Sequence, residues 1–154
     1  MIYLFDTDLL IFMIRGLKAT TRRAQMRQQA AKLMARCRKA QWAGDSVGLS
    51  AVTISELEFG ARKSDNYDDE IAAVHKVLTP FDLYDYDAVS CPEHYGRLRH
   101  ELEAKGQTIG SMDMRIAAHA MAISAALVTN NEAHFSRVAG LMVVNWLKEP
   151  AGND

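Results

Sequence analysis

Ile2-Tyr3-Leu4-Phe5-Asp6-Thr7-Asp8-Leu9-Leu10-Ile11-Phe12 opens the chain and decides its fold. Four consecutive apolar residues without polar alternation suit a strand covered on both faces, as in the middle of a parallel sheet. Such strands present ligands at their C-terminal ends, where the covering helices begin. Asp6 is delivered to that point, and Thr7 and Asp8 form a polar turn before a buried helix. Asp6 is therefore either a helix cap or a site residue, and the rest of the chain has to decide between them.

Outward from this stretch, strands and helices alternate. Gly16 breaks the first helix, and Thr20 or Thr21 can cap a second that reaches Trp42. Its inward stripe is Met26, Ala30, Leu33, Met34 and Cys37, and Gly44 and Asp45 end it. Val47–Leu49 reads as a strand and Ser50–Gly60 as a helix. Ser64–Glu70 is a polar loop, Ile71–Leu78 a short helix and Phe81–Tyr86 a less covered strand. Asp87 can cap a helix running to Lys105 and stopped by Gly106. Ser111–Met121 is a strongly apolar helix, Ala126–Thr129 a buried strand and Met142–Val144 the last strand. This alternation predicts an α/β fold in three layers, a mainly parallel central sheet flanked by helices, with one domain over 1–147 and a flexible tail over 148–154.

The 154 residues suffice for one domain with a real core, and 49% hydrophobic and 24% charged residues are ordinary for a soluble protein. The apolar start lacks a basic leader and meets acids within six residues, and no apolar run approaches the ~20 residues of a membrane span. Cys37 and Cys91 form no paired motif, which fits a reducing cytoplasm. The five histidines lack zinc-ligand spacing.

A net charge of -1 conceals a strong segregation. From Leu9 to Gly44 there is no acid, yet the segment holds nine of the 18 basic residues, among them Arg15, Arg22, Arg23 and Arg27. Such a block suits a polyanion or an acidic partner, and equally a solvated helix face.

Three acids stand apart from the solvated ones. Asp6 follows the first strand. Glu56 shares a helical face with Val52, Phe59 and Gly60, whereas Glu58 is better placed for solvent. Thr53 and Glu56 also have the spacing of a capping box, in which Glu56 would bond only the helix start. Asp113 sits in the first turn of its helix, in line with Ile116, Ala117 and Ala120, where an inward acid needs compensation. His119 lies elsewhere on that helix and is structural or exposed. In an α/β fold these three positions fall on one sheet edge. Carboxylates without clustered cysteine or histidine select a hard cation, Mg²⁺ or Mn²⁺. Without it they repel one another, which raises their pKa values and loosens their geometry.

These residues resemble the PIN domain, and specifically the VapC-type toxins of bacterial type II toxin–antitoxin systems. The matching segments are Leu4–Leu10, Ser50–Gly60, Tyr95–Arg99, Ile109–Ala120 and Leu127–Asn131, continuing through His134-Phe135 and Gly140-Leu141 to Asn145-Trp146. The resemblance implies a Mg²⁺- or Mn²⁺-dependent endoribonuclease that cuts a cellular RNA such as a tRNA or an rRNA loop. Asp6, Glu56 and Asp113 would be its metal-binding and catalytic acids. It also implies a VapB-like antitoxin partner, a toxin homodimer, and a heterotetramer or larger assembly with the antitoxin. Where many PIN domains carry a fourth acid, this chain has Asn131, an amide that can still ligate through its carbonyl and is usual in VapC-like sequences. A second departure is the length and basicity of Lys18–Trp42, within and beside which Arg15, Arg22, Arg23 and Arg27 are candidate phosphate contacts. Two alternatives stand beside this one. A PIN fold could bind RNA or a partner with little catalysis, or Asp6-Thr7-Asp8 could be the nucleophile motif of a haloacid dehalogenase-like phosphatase.

Overall fold

The computed structural model describes residues 1–18 and 20–148. The elements in order are β1 (Ile2–Phe5), α1 (Thr7–Leu17), α2 (Ala24–Trp42), β2 (Ser46–Ser50), α3 (Ala51–Lys63), α4 (Tyr67–Leu78), β3 (Asp82–Tyr84), α5 (Ser90–Ala104), α6 (Ser111–Ala122), β4 (Ala126–Val128), α7 (Glu132–Phe135) and β5 (Val143–Val144). The five strands form one sheet in the order β3-β2-β1-β4-β5, and every pairing is parallel. The expected three-layer α/β architecture is present, with a sheet parallel throughout. β1 lies at its centre, which is why Leu4 and Phe5 are wholly buried.

Each face of the sheet has its own core. On one, Phe5 meets Phe81 and Trp146 edge-on at 5.4 and 5.5 Å, over Leu10, Met13, Leu33 and Leu49. On the other, Leu4 and Leu127 pack against Ile116, Ala117, Ala118 and Ala120 of α6 and Leu98 and Leu102 of α5. Burying each large apolar side chain contributes roughly 1.5–3 kcal/mol. The alanines let α6 lie close to the sheet, so the helix start that carries Asp113 comes near the end of β1.

α1 and α2 pack tightly where Gly16 lies. A Cβ at Gly16 would stand 2.5 Å from the Cβ of Ala30 and 2.8 Å from the Met26 carbonyl, so only glycine permits the contact. Gly44, at φ +90°, turns the chain out of α2 as expected. Neither threonine caps α2. The helix starts at Ala24 after Arg23, without a side-chain cap, and the Thr21 hydroxyl instead donates to the Arg15 carbonyl.

Two further boundaries differ from the sequence expectation. The presumed loop 64–70 is half helix, because Asn66 accepts the Asp69 N–H at 3.1 Å and so starts α4 at Tyr67. Its acidic first turn, Asp68, Asp69 and Glu70, opposes the helix dipole favourably. The third strand contracts to Asp82–Tyr84 at the sheet edge, where Leu83 is 63% exposed. The cap position of α5 is Val89, without a side-chain bond, and Asp87 instead braces the turn into the helix by accepting the N–H groups of Val89 and Ser90 at 2.5 and 2.9 Å. Of the expected tail only Lys148 is described. It pairs with Glu132, while its carbonyl accepts from Arg36 at 3.2 Å. The rest of the tail, 149–154, lies outside the described residues, as does Ala19. Among the described residues no helix is long and apolar enough to cross a membrane.

Candidate active site

Asp6 occupies the position between β1 and α1, with φ -64° and ψ 141°. Its N–H continues the sheet by donating to the Val128 carbonyl at 2.9 Å, and its carbonyl accepts the Leu10 N–H at 3.0 Å to begin the helix. As the N-cap residue of α1 its side chain makes no geometric cap bond, although the Asp8 N–H at the helix start acts to lower its pKa. The side chain turns inward, to 3% exposure. One carboxylate oxygen, Oδ2, accepts the Thr129 hydroxyl at 2.8 Å, and the other, Oδ1, is buried without a partner. Thr129 Oγ1 in turn accepts the Asn131 N–H at 3.0 Å, so the end of β4 orients the end of β1. Burial pushes the Asp6 carboxyl up to about 6. The Thr129 bond opposes that rise, and the negative charges of Asp113 and Asp8 add to it.

Asp113 stands in the first turn of α6, half-buried. Its Oδ2 lies 2.9 Å from Nε2 of His134, which α7 supplies. The edge of the His134 ring is set against buried Phe135, with centroids 5.5 Å apart. The electrostatic effect of Asp113 on Asp6 places these two acids in one field.

Glu56 is on α3, and the capping-box alternative for it fails. The cap is Ser50, whose hydroxyl accepts the Val52 N–H at 3.1 Å. Thr53 is wholly buried and spends its hydroxyl on that of Thr7, 2.8 Å away, which ties α3 to the start of α1. Glu56 is left half-buried in a cleft with Ile11, Ile14, Arg15 and Glu70. Glu58, expected to face solvent, is also half-buried and accepts the Tyr67 hydroxyl at 2.9 Å.

Asn131 is exposed and lines a separate cleft of about 200 Å³ with Asp6, Asp8, Leu9, Phe12 and Asn130. The structure thus joins Asp6, Asp113 and Asn131 around the ends of β1 and β4, and sets Glu56 in the neighbouring cleft beside Arg15. Among the described residues, no three His, Cys, Asp or Glu side chains close into a ready cation cage. Arg22, Arg23 and Arg27 are exposed around the start of α2 and line neither cleft.

Sequence reasoning overlooked three supporting side chains. Thr129 carries a signal only in hindsight, as a β-branched polar residue at the end of a buried strand. His134 has no signal of its own, because its partner is 21 residues away. His119, left open as structural or exposed, is wholly buried. Its Nδ1 lies 2.7 Å from the Ser50 hydroxyl, and Tyr86 meets its ring edge-on at 5.5 Å. Burial lowers its pKa, so it stays neutral. The Ser50 hydroxyl accepts from Val52 and also meets His119 Nδ1, the imidazole tautomer deciding which of the two donates. This bond joins α6, which carries Asp113, to the cap of α3, which carries Glu56.

The donors around Asp6 suit a hard divalent cation. They are carboxylate and amide oxygens, and buried Oδ1 of Asp6 is an acceptor that nothing in the protein satisfies. A cation there would offset the desolvation that now holds the Asp6 carboxyl near 6.

Comparison with known proteins accords with this geometry. Residues 3–141 match the PIN domain family. The chain is 32% identical over 148 residues to Ribonuclease VapC2 of Rickettsia felis, covering 96% of this chain and all of the relative. It is 31% identical over 144 residues to the tRNA(fMet)-specific endonuclease VapC of Shigella flexneri, covering 94% and 97%. Among solved structures, the fold superposes with a TM-score of 0.79 on VapBC2 from Rickettsia felis bound to a promoter DNA fragment, at 30% identity and over 95% of this chain and 99% of that one. VapBC-1 from nontypeable Haemophilus influenzae gives the same score at 28% identity, over 96% and 100%. The phosphatase alternative built on Asp6 and Asp8 gives way to this match, which spans the sheet, the helices and every acid discussed above: the chain belongs to the PIN-domain family and, within it, to the VapC ribonucleases.

Proposed function

We propose that this protein is the endoribonuclease toxin of a toxin–antitoxin pair, a single catalytic domain over 1–147 that works in the cytoplasm and hydrolyses phosphodiester bonds of a structured RNA such as a tRNA or an rRNA loop. The observation that carries this is the buried Asp6 carboxylate, with one oxygen unpartnered, at the sheet edge where Asp113 also stands. Asp6, Glu56 and Asp113 would hold Mg²⁺ or Mn²⁺, and Asn131 would add its carbonyl oxygen or orient water. When bound, such an ion activates water and stabilises the charge that develops on the phosphate. The chain supplies the placement. Thr129 fixes which Asp6 oxygen stays free, His134 holds one oxygen of Asp113, and Arg15, Arg22, Arg23 and Arg27 offer positive charge to the RNA backbone. The VapBC relatives were solved as toxin–antitoxin complexes, so the expected partner is a VapB-like antitoxin, on a homodimeric toxin within a heterotetramer or larger assembly.

The test is cleavage of total tRNA and ribosomal RNA by antitoxin-free protein with Mg²⁺, with Mn²⁺ and with EDTA, alongside Asp6→Asn and Asp113→Asn. Discrete fragments that vanish with EDTA and with either substitution are expected. Fragments that persist in both variants, or no cleavage with either metal, would leave only an RNA- or partner-binding PIN fold.

A further inference from the structure

α2 carries a surface that the cleavage site does not use. Ala30, Leu33 and Cys37 face the core, and the exposed side of the helix end presents Arg38, Lys39 and Trp42. Lys39 and Arg38 are three and four residues before Trp42, one turn away. The indole of Trp42 is 92% exposed, more than any other large apolar side chain described, whereas Trp146 is packed into the core. Among the described residues Arg38 and Lys39 make no ion pair, although Arg38 lines a cleft that also holds Asp69 and Glu70 of α4. Asp45, the acid that follows in the chain, is occupied by the N-terminal amine at 3.0 Å. An almost fully exposed indole beside cations that make no ion pair matches single-stranded or looped nucleic acid, in which a base stacks on the ring while the phosphates meet the cations. Apolar burial alone would not call for the charge, and a solvated basic face would not call for the indole.

We infer that the outer face of the C-terminal end of α2 is a second RNA-docking surface, with Trp42 as a stacking platform and Arg38 and Lys39 as its phosphate contacts. This inference rests on the ribonuclease assignment and deepens it.

The experiment uses total tRNA with full-length protein. Binding is read on Asp6→Asn protein in EDTA, so that nothing is cut, by indole fluorescence and by titration at several salt concentrations. Cleavage by the protein with native Asp6 is measured in parallel. Quenching by tRNA that is lost in Trp42→Phe is expected. Kd should rise roughly tenfold in Trp42→Ala. In Arg38→Glu combined with Lys39→Glu it should rise further, with a shallower salt dependence. Melting temperatures should stay unchanged because all three side chains are exposed. If the protein with native Asp6 cleaves tRNA but these variants bind and cut it equally well, the docking surface is refuted and the nuclease stands. If tRNA is neither bound nor cut, the docking surface is refuted, and the nuclease reading then stands or falls with the ribosomal RNA cleavage test above. If Trp42→Ala lowers the particle mass in light scattering and leaves RNA affinity intact, the face belongs to a second copy of this chain, and the inference is overturned.

Discussion

Asp6 and Asp113 are both aspartates at the first turn of a helix, yet their surroundings treat the same carboxyl group in opposite ways. Asp6 lies at the end of the central strand, 3% exposed, with a single hydroxyl partner and one orphaned oxygen. Asp113 lies where α6 meets α7, half open to water, and is held by an imidazole that can carry a positive charge. Burial raises the first carboxyl to about 6, whereas the second is part-open to solvent and bonded to His134. A cation brought between them is therefore worth most to Asp6. A cation arriving there in the working protein, as proposed above, would offset the cost of keeping Asp6 buried.

The sharpest way to break this contrast is to neutralise each acid in turn. Asp6→Asn and Asp113→Asn should each reduce RNA cleavage roughly a thousandfold or more, since either removes a ligand from the group that stabilises the developing charge. Their effects on stability should diverge. Without divalent cation at pH 8, Asp6→Asn should melt at the same temperature or higher, because a buried charge is relieved. Asp113→Asn should gain nothing. A clear drop in melting temperature for Asp6→Asn would mean that its carboxylate stabilises the apo fold, contrary to the contrast drawn here.

The pH dependence of apo stability is the next largest effect. The folded protein holds the Asp6 proton more tightly than the unfolded chain does, at about 6 against 3.8. Its contribution is thus fully present below about pH 4 and is lost as pH rises through 6, a change on the order of 3 kcal/mol. Chemical denaturation from pH 4 to 8 should show this fall, and Asp6→Asn should flatten it. Adding Mn²⁺ or Mg²⁺ at pH 8 should restore stability, by about 2.7 kcal/mol at a hundred times Kd. Absence of metal-induced stabilisation in the unsubstituted protein would argue against Asp6 as a ligand.

Smaller effects test the two supports. Thr129→Val leaves Oδ2 of Asp6 unpartnered as well and should cost about 1–3 kcal/mol at neutral pH. It should also weaken cleavage roughly 10- to 100-fold, with Thr129→Ser restoring most of both. His134→Ala should cost under about 1 kcal/mol, because its pairing with Asp113 is part-exposed and screened. It should mainly weaken metal binding, measured by calorimetry. If His134→Ala proved the more destabilising of the two, the asymmetry between the carboxylates would be reversed.

Much of the fold was legible because it depends on local pattern. An unbroken apolar run before an acid identifies a central parallel strand, and Leu4 and Phe5 occupy that place with no exposure. Gly44 ends one helix and Asp87 braces the turn into another by chemistry written in their immediate neighbours. Local pattern misled where two local chemistries competed. Thr53 and Glu56 have the spacing of a capping box, but Ser50 takes the cap and Thr53 bonds Thr7 on another helix. The acidic stretch before Ile71 looked like loop until Asn66 is seen capping it.

The sequence by itself determined that the chain is α/β and pointed to the C-terminal edge of a parallel sheet as the candidate site, with Asp6, Glu56 and Asp113 as its candidate acids. These follow from periodicity and residue type, which act over one or two turns of chain. Only the tertiary structure decided how those acids are held. Thr129 reaches Asp6 across 123 residues, His134 reaches Asp113 across 21, and His119 reaches Ser50 across 69. Burial, partnership and the resulting charge state are properties of what surrounds a side chain once distant segments have met, and no local spacing records them.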